Sequence, residues 1–206
     1  MLTLAIDCAT EACSVALFDG ENRIAGDYRV LGRGHAEQLI PMIAALPGRG
    51  RAQRIAVATG PGSFTGVRVG LAAARALAFA WDAELVGYPT LALIAAMAQA
   101  ARGDRSLAVV TTGGHGEWFV QRFGRQCLAI DEVTSRKPAE AASAIAEVLI
   151  AGSQAQAFVD LRGHGEALVD LPNANLFALL PAAALTSDVR PIYGRAPDAR
   201  LPTGAA

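Results

Sequence analysis

The chain has 206 residues, of which 52% are hydrophobic, 6% aromatic and 18% charged, and its formal net charge is −1. This length allows one domain or two small ones, and the apolar fraction with balanced charge excludes a disordered chain. The balance also argues against a protein that binds nucleic acid on its own, since that affinity comes largely from clustered Lys and Arg. The three cysteines and three histidines lack disulfide-framework or metal-ligand spacing. We therefore expect buried thiols, no metal site and a cytoplasmic location.

Neither a membrane span nor a secretory signal is expected. The longest uncharged apolar stretch, residues 85–101, contains Gly87, Pro89 and Gln99, and the first residues lack a basic segment.

The first half predicts the element order β-β-β-α-β-α-β-α. The Asp19-Gly20 pair predicts a hairpin turn, and Pro47-Gly48 ends the first helix. The expected strands are 2–8, 13–19, 23–30, 55–59 and 85–87, and the expected helices are about 35–46, 67–80 and 90–101.

The second half predicts a shorter and degenerate version of the first. A candidate linker at 101–105 is followed by strand-like runs on either side of a turn at 112–116. The expected elements are strands at 106–111, 117–123 and 156–160, and helices at about 138–151 and 175–185. The fold class is thus α/β, with two lobes, 1–101 and 102–206, in which helices flank mixed sheets. This arrangement is typical of the actin-like superfamily.

A glycine loop, Gly60-Pro61-Gly62-Ser63-Phe64-Thr65-Gly66, lies between a predicted strand and a predicted helix. Such a loop can bind phosphate, because its backbone approaches the anion closely and the first helical amides are free donors. It can equally be a tight turn that allows close packing of the helix. It matches neither the Walker A nor the dinucleotide-binding pattern. Ser63 also lacks the spacing of a hydrolase nucleophile elbow.

The helix after this loop is apolar on every side and has a stripe of small residues, Gly66, Gly70, Ala74 and Ala78. A smooth stripe allows another helix to approach closely, and we expect this one to contact a partner chain.

Two segments, 4–17 and 60–70, closely resemble the TsaB family, the dimerisation subunit of the bacterial machinery that makes threonylcarbamoyladenosine in tRNA. The resemblance covers nearly all of residues 1–100, including His35 before the first helix. The second half matches loosely: Pro191-Ile192-Tyr193-Gly194-Arg195 resembles the Pro-x-Tyr-Leu-Arg tail of the family, whereas Thr112-Gly113-Gly114 replaces its usual Asp-Ala-Arg turn.

The resemblance implies an actin-like (ASKHA) fold and a non-catalytic subunit that binds and activates the catalytic threonylcarbamoyl transferase. The metal-binding histidine pair of that transferase corresponds to Thr90 and Ile94 here, so we expect no catalytic residue and no metal. The expected partners are the transferase and an ATPase subunit, with tRNA bound only through the complex and a homodimer when the chain is alone. The expected partner interface comprises His35, Leu39, Ile43, Gly66, Arg68, Gly70, Ala74 and Ala78.

An intrinsic cofactor is not expected, although ATP or ADP at or near the complex interface is compatible with the sequence. Candidate nucleotide contacts are Asp7, Thr10, Gly60, Gly62 and Ser63. Two other functions stay open: a stand-alone actin-like small-molecule kinase or ATPase, which these residues favour, and a peptidase with Ser63 as nucleophile.

Overall fold

A computed structural model describes residues 1–194 and contains two five-stranded sheets. The strands are β1 (Leu2–Asp7), β2 (Ala12–Asp19), β3 (Asn22–Val30), β4 (Arg54–Ala58), β5 (Glu84–Tyr88), β6 (Leu107–Gly114), β7 (Glu117–Phe123), β8 (Thr134–Arg136), β9 (Leu149–Ala151) and β10 (Glu166–Leu168). The helices are α1 (His35–Ala45), α2 (Phe64–Trp81), α3 (Thr90–Arg102), α4 (Pro138–Ala144) and α5 (Ala155–Arg162).

The two sheets have the same topology. The first has the order β3-β2-β1-β4-β5, with β1 antiparallel to β2 and parallel to β4. The second has the corresponding order β8-β7-β6-β9-β10, with β6 antiparallel to β7 and parallel to β9. This repetition confirms the two-lobed α/β fold with helices beside mixed sheets and a shorter second lobe.

The element order of the first half is confirmed throughout. Strand β1 is buried along almost its whole length because β2 and β4 pair with it on either side and helices cover the sheet. Apolar side chains from α1 and α2 pack on this sheet and form the largest hydrophobic cluster of the described chain.

Three expectations for the second half are wrong. The helix expected at 138–151 ends at Ala144, and β9 follows because its three residues are fully buried beside β6. The strand expected at 156–160 is α5, since Ala155 and Phe158 are three residues apart and both face the core. The helix expected at 175–185 is two 3-10 turns, Ala174–Leu179 and Ala182–Ala184. Pro181 lies between them and cannot continue a helix.

Packing crosses the expected lobe boundary at 101/102 in both directions. Apolar residues of α3 pack in the cluster that includes Leu107 and Val109 of the second sheet. Conversely, Ala174 donates its backbone N–H to the Ser14 hydroxyl at 2.9 Å, and Phe177 lies against the rings of Phe18 and Tyr88. The segment around Ala174 therefore returns to the first lobe. Among the helices of residues 1–194, none is long and apolar enough to cross a bilayer.

Candidate functional site

The glycine loop packs directly on the turn between β1 and β2. A Cβ atom on Gly62 would lie 1.9 Å from the carbonyl oxygen of Ala9, and one on Gly66 would lie 2.1 Å from that of Cys8. Such distances leave no room for a side chain, so these two glycines are required by the close approach of backbone to backbone. The close-packing interpretation of the loop is therefore supported by the geometry.

Ser63 has a capping role. Its hydroxyl oxygen accepts a hydrogen bond from the backbone N–H of Gly66 at 3.2 Å, which makes Ser63 the N-cap of α2. An N-cap satisfies one of the amides that the first helical turn leaves unpaired. This bond gives the serine a structural reason to be present that does not require nucleophilic chemistry.

Asp7 does not line the cleft between the two lobes in this structure, and its role as a nucleotide contact stays a prediction. Its side chain is fully buried at the end of β1, and one carboxyl oxygen accepts the backbone N–H of Ala9 at 2.9 Å. Burial raises the pKa of this carboxyl from 3.8 to about 7, although the Ala9 bond opposes the rise. The neighbouring Tyr88 hydroxyl donates to the carbonyl of Ile6 at 2.9 Å, which closes the strand end to solvent.

Gly60 also does not line the cleft. Its carbonyl accepts the backbone N–H of Thr90 at 2.9 Å, and its φ of +95° is the reason for glycine at this position. The residue thus joins the loop to the start of α3.

A cleft of about 750 Å³ lies between the lobes. Three of the five expected nucleotide contacts, Thr10, Gly62 and Ser63, line it on the first-lobe side. The second lobe contributes Thr111, Thr112, Gly113, Gly114 and Ser153. The expected turn at 112–116 is narrower than predicted, because β6 continues to Gly114 and β7 begins at Glu117.

The polar side chains on the second-lobe wall are the hydroxyl groups of Thr111, Thr112 and Ser153 and the imidazole of His115. The backbone N–H of Thr112 donates to the Ser153 hydroxyl at 3.2 Å, and the Gln154 amide donates to the Thr112 hydroxyl at 2.9 Å. Such a wall can offer hydrogen bonds to a polar ligand, and it lacks the carboxylate that an actin-like kinase would place there. Among residues 1–194, no group of three or more His, Cys, Asp or Glu side chains could hold a metal ion.

One cluster of the cleft was not predicted from the sequence. Arg68 lies 3.4 Å above the centre of the Phe64 ring and donates a hydrogen bond to the Tyr193 hydroxyl at 2.9 Å. Tyr193 belongs to the tail that resembles the TsaB family; Arg195 of the same motif lies outside the described residues. Phe64 and Arg68 are four residues apart on α2, but Tyr193 is 125 residues beyond Arg68, so the tail motif is the only signal for the cluster.

Most residues of the expected partner interface pack inside the subunit. Residues Gly66, Gly70, Ala74 and Ala78 of the stripe are all buried. A Cβ on Gly70 would contact the side chains of Cys8 and Val57, so this side of α2 faces the first sheet. Leu39 and Ile43 of α1 are likewise buried in the core. The small stripe therefore allows α2 to approach its own sheet.

His35 is also an internal residue. It begins α1, is buried, and its Nε2 atom lies 3.3 Å from the carbonyl oxygen of Ala12. Of the expected interface residues, Arg68 is the exposed one.

Helices α1 and α2 contact each other. On each helix, the side opposite the buried one exposes apolar side chains. The side chain of Phe79 is 92% exposed and that of Ile40 is 49% exposed. Exposed alanines continue these two surfaces, namely Ala36, Ala44, Ala72 and Ala76. We call this set of six residues the α1–α2 face.

The family model described as "TsaD: tRNA N6-adenosine threonylcarbamoyltransferase" matches residues 29–185. The chain belongs to this family. Within it, the chain resembles the proteins named TsaB. It is 33% identical over 130 residues to the tRNA threonylcarbamoyladenosine biosynthesis protein TsaB of Escherichia coli K12, and 41% identical over 104 residues to the Haemophilus influenzae protein of the same name. These alignments confirm the TsaB resemblance.

The two alignments cover 61% and 48% of this chain, and 56% and 42% of the relatives. The matched part thus spans about half the length of these curated relatives. A crystal structure from Pseudomonas aeruginosa, titled as similar to peptidase YEAZ, has a TM-score of 0.79 and 28% identity. The match covers 94% of this chain and 99% of the Pseudomonas aeruginosa chain. An ethanolamine utilization protein EutJ from Carboxydothermus hydrogenoformans, with a TM-score of 0.51 and 12% identity, is similar in fold alone.

Proposed function

We propose that this chain is a non-catalytic subunit that binds and activates a threonylcarbamoyl transferase, in the formation of N6-threonylcarbamoyladenosine next to the tRNA anticodon. The named relatives and the family match support a place in this biosynthesis. The partners are the transferase and an ATPase subunit of the same complex. Because the chain has a net charge of −1, it leaves most contact with tRNA to these partners.

The α1–α2 face is the observation that carries this proposal. Phe79 exposes almost its entire ring on a helix whose other side is buried against the sheet. Burial of apolar side chains of this size is the usual source of stability in a permanent protein interface. The two exposed arginines of α2 have partners within the chain, since Arg68 donates to the Tyr193 hydroxyl and Arg75 donates to the carbonyl of Val189 at 2.6 Å.

The positions that would carry a metal-binding pair in the transferase support a non-catalytic role. Thr90 and Ile94 are both buried at the start of α3, and Ile94 packs in a cluster of apolar side chains. Neither side chain offers the imidazole nitrogen that such a metal site uses. Catalysis is therefore assigned to the partner.

The cleft favours a second candidate, binding of an adenine nucleotide by a stand-alone kinase or ATPase. Its volume and its hydroxyl-rich walls suit a polar ligand. The burial of Asp7 weakens this candidate, because the carboxylate expected to hold magnesium faces the core. Magnesium-dependent ATP turnover by the purified chain alone would favour this candidate, whereas its absence together with activation of the transferase would favour the first.

The direct test is depletion of the protein in its host, followed by measurement of threonylcarbamoyladenosine in bulk tRNA by mass spectrometry. We expect the nucleoside to fall while the transferase is still present, and to recover when the wild-type chain is restored. Two variants sharpen the test. Phe79→Asp should fail to restore the nucleoside, whereas Val148→Asp, at a 61% exposed apolar residue of the second lobe, should restore it. An unchanged nucleoside level after depletion would overturn the proposal.

When the partner is absent, we expect the α1–α2 face to pair with the same face of a second copy. Phe79→Asp should then convert a dimer to a monomer in analytical ultracentrifugation.

A further inference from the structure

Two cysteines lie side by side in the first lobe, next to the wall of the cleft, and the proposed function does not use their thiols. The pairing of β1 with β2 ends at Asp7 and Ser14, and the same register places Cys8 directly opposite Cys13. Both side chains are buried, and their sulfur atoms are 3.5 Å apart. The sequence predicts inert buried thiols here, but it gives no reason for the two to be adjacent.

We propose that Cys8 and Cys13 form a reversible disulfide when the protein meets a hydroperoxide, so that the β1–β2 turn is a site of oxidative modification.

The strand geometry suits this bond. Residues directly opposite in an antiparallel pair have Cα atoms about 4.5–5.5 Å apart, which lies within the range that disulfides bridge. The sulfur atoms need to approach by about 1.5 Å to reach bonding distance, a movement that rotation of the two side chains can supply. Three of the intervening residues, Ala9 to Glu11, lie between the two strands, and Ala12 begins β2.

The two thiols also differ in acidity, which suits the chemistry. The hydrogen bond between them, with burial, raises the pKa of Cys8, and the same hydrogen bond lowers the pKa of Cys13. A hydrogen bond from one thiol favours the thiolate on the other, and the thiolate is the form that attacks peroxides.

The reaction balances with one hydroperoxide for each pair. The Cys13 thiolate attacks one peroxide oxygen, the O–O bond breaks, and the product is a sulfenic acid; hydrogen peroxide releases one water in this step once the leaving oxygen is protonated. The Cys8 sulfur then attacks the Cys13 sulfur and displaces the hydroxyl as water. Both thiols are oxidised to the disulfide, and the peroxide is reduced.

The bond would fix the turn that forms one wall of the cleft. Ala9, Thr10 and Glu11 line the cleft, and the carbonyls of Cys8 and Ala9 support Gly66 and Gly62 of the glycine loop. A disulfide between the two cysteines would therefore restrain the turn on which the start of α2 packs.

The test uses the full-length chain with Cys127→Ser, which removes the remaining thiol. Cys127 is half-buried and donates to the Gln99 side chain, a contact that serine keeps. The folded protein is treated with hydrogen peroxide and then unfolded in denaturant, free thiols are blocked with N-ethylmaleimide, and the chain is digested with trypsin. Residues 1–23 form a single tryptic peptide that contains both cysteines, because Arg23 is the first basic residue.

We expect this peptide to be unalkylated and lighter by two hydrogen atoms, and to regain both thiols after treatment with dithiothreitol. The matched variants Cys8→Ser and Cys13→Ser should give no such peptide. Wild-type Cys127, treated in parallel, shows that the oxidant is active. The proposal would be overturned if Cys127 reacts while Cys8 and Cys13 both stay alkylatable, or if they are oxidised singly to sulfinic acid without the disulfide.

Discussion

The backbone N–H of Ser63 donates a 2.6 Å hydrogen bond to the carbonyl oxygen of Ala9, and this bond fastens the glycine loop to the β1–β2 turn. The same carbonyl lies 1.9 Å from the place that a Cβ on Gly62 would occupy. The loop is therefore shaped by contact between two backbone segments, and the start of α2 depends on the position of the turn.

Two glycines of α2 should respond oppositely to the same substitution. Gly66→Ala places a Cβ 2.1 Å from the Cys8 carbonyl, so the backbone must shift, and we expect a loss of about 1–3 kcal/mol in the free energy of unfolding. Gly70→Ala meets its nearest neighbour, the Cβ of Cys8, at 3.6 Å, which is an ordinary contact. This control should gain up to about 1 kcal/mol, because alanine favours a helix over glycine. Urea denaturation of both variants measures the difference, and equal effects would contradict the packing described here.

The buried carboxyl of Asp7 should make stability depend on pH. In the folded chain its pKa is raised from 3.8 to about 7 by burial, so the native state keeps a proton that the unfolded state has released between these values. Stability should therefore fall as the pH rises from about 4 to about 7, by at most about 1.4 kcal/mol per pH unit from this group.

The variant Asp7→Asn removes this titration. Because wild type loses stability over this range, the free energy of unfolding of Asp7→Asn minus that of wild type should increase steadily between pH 5 and pH 7 and level off above about pH 8. Guanidinium denaturation across this range gives the comparison. If the two stability curves run parallel, the carboxyl does not hold a proton in the folded chain.

The packing of the segment Ala174–Leu179 on the first lobe should depend on the buried hydroxyl of Ser14. Ser14 accepts the backbone N–H of Ala174 at 2.9 Å, and Ser14→Ala leaves that N–H without its partner, at a cost of about 1–3 kcal/mol. Amide hydrogen exchange should quicken across Ala174–Leu179 in this variant. Ser143→Ala, at an exposed hydroxyl of α4, is the control and should leave exchange in that segment unchanged. Equal exchange in both variants would contradict the prediction.

The sequence predicts the first lobe better than the second because its elements are longer and more regular. The apolar pattern of α2 extends over 18 residues, which is long enough to distinguish a helix from a strand. By contrast, β9 has three residues, and so short an apolar run cannot be distinguished from a continuation of the preceding helix.

The site was predicted only in part because burial depends on contacts between distant segments. The position of Asp7 at a strand end suggests a surface carboxylate, but Tyr88 of β5 lies beside it and the strand end is closed. The spacing of the small residues shows which side of α2 is smooth, but it does not show which element packs against that side. In the structure that side faces the first sheet, and the α1–α2 face is the exposed apolar side of the two helices.

The most direct test of this account is a calorimetric titration of the purified chain with the threonylcarbamoyl transferase of the same organism. We predict a stoichiometric complex for wild type and for the Val148→Asp control. For Phe79→Asp, whose introduced charge would be buried in the interface, we predict at least about a tenfold loss of affinity without loss of fold by circular dichroism. Failure of the wild-type chain to bind, or equal affinity of Phe79→Asp and wild type, would contradict the account.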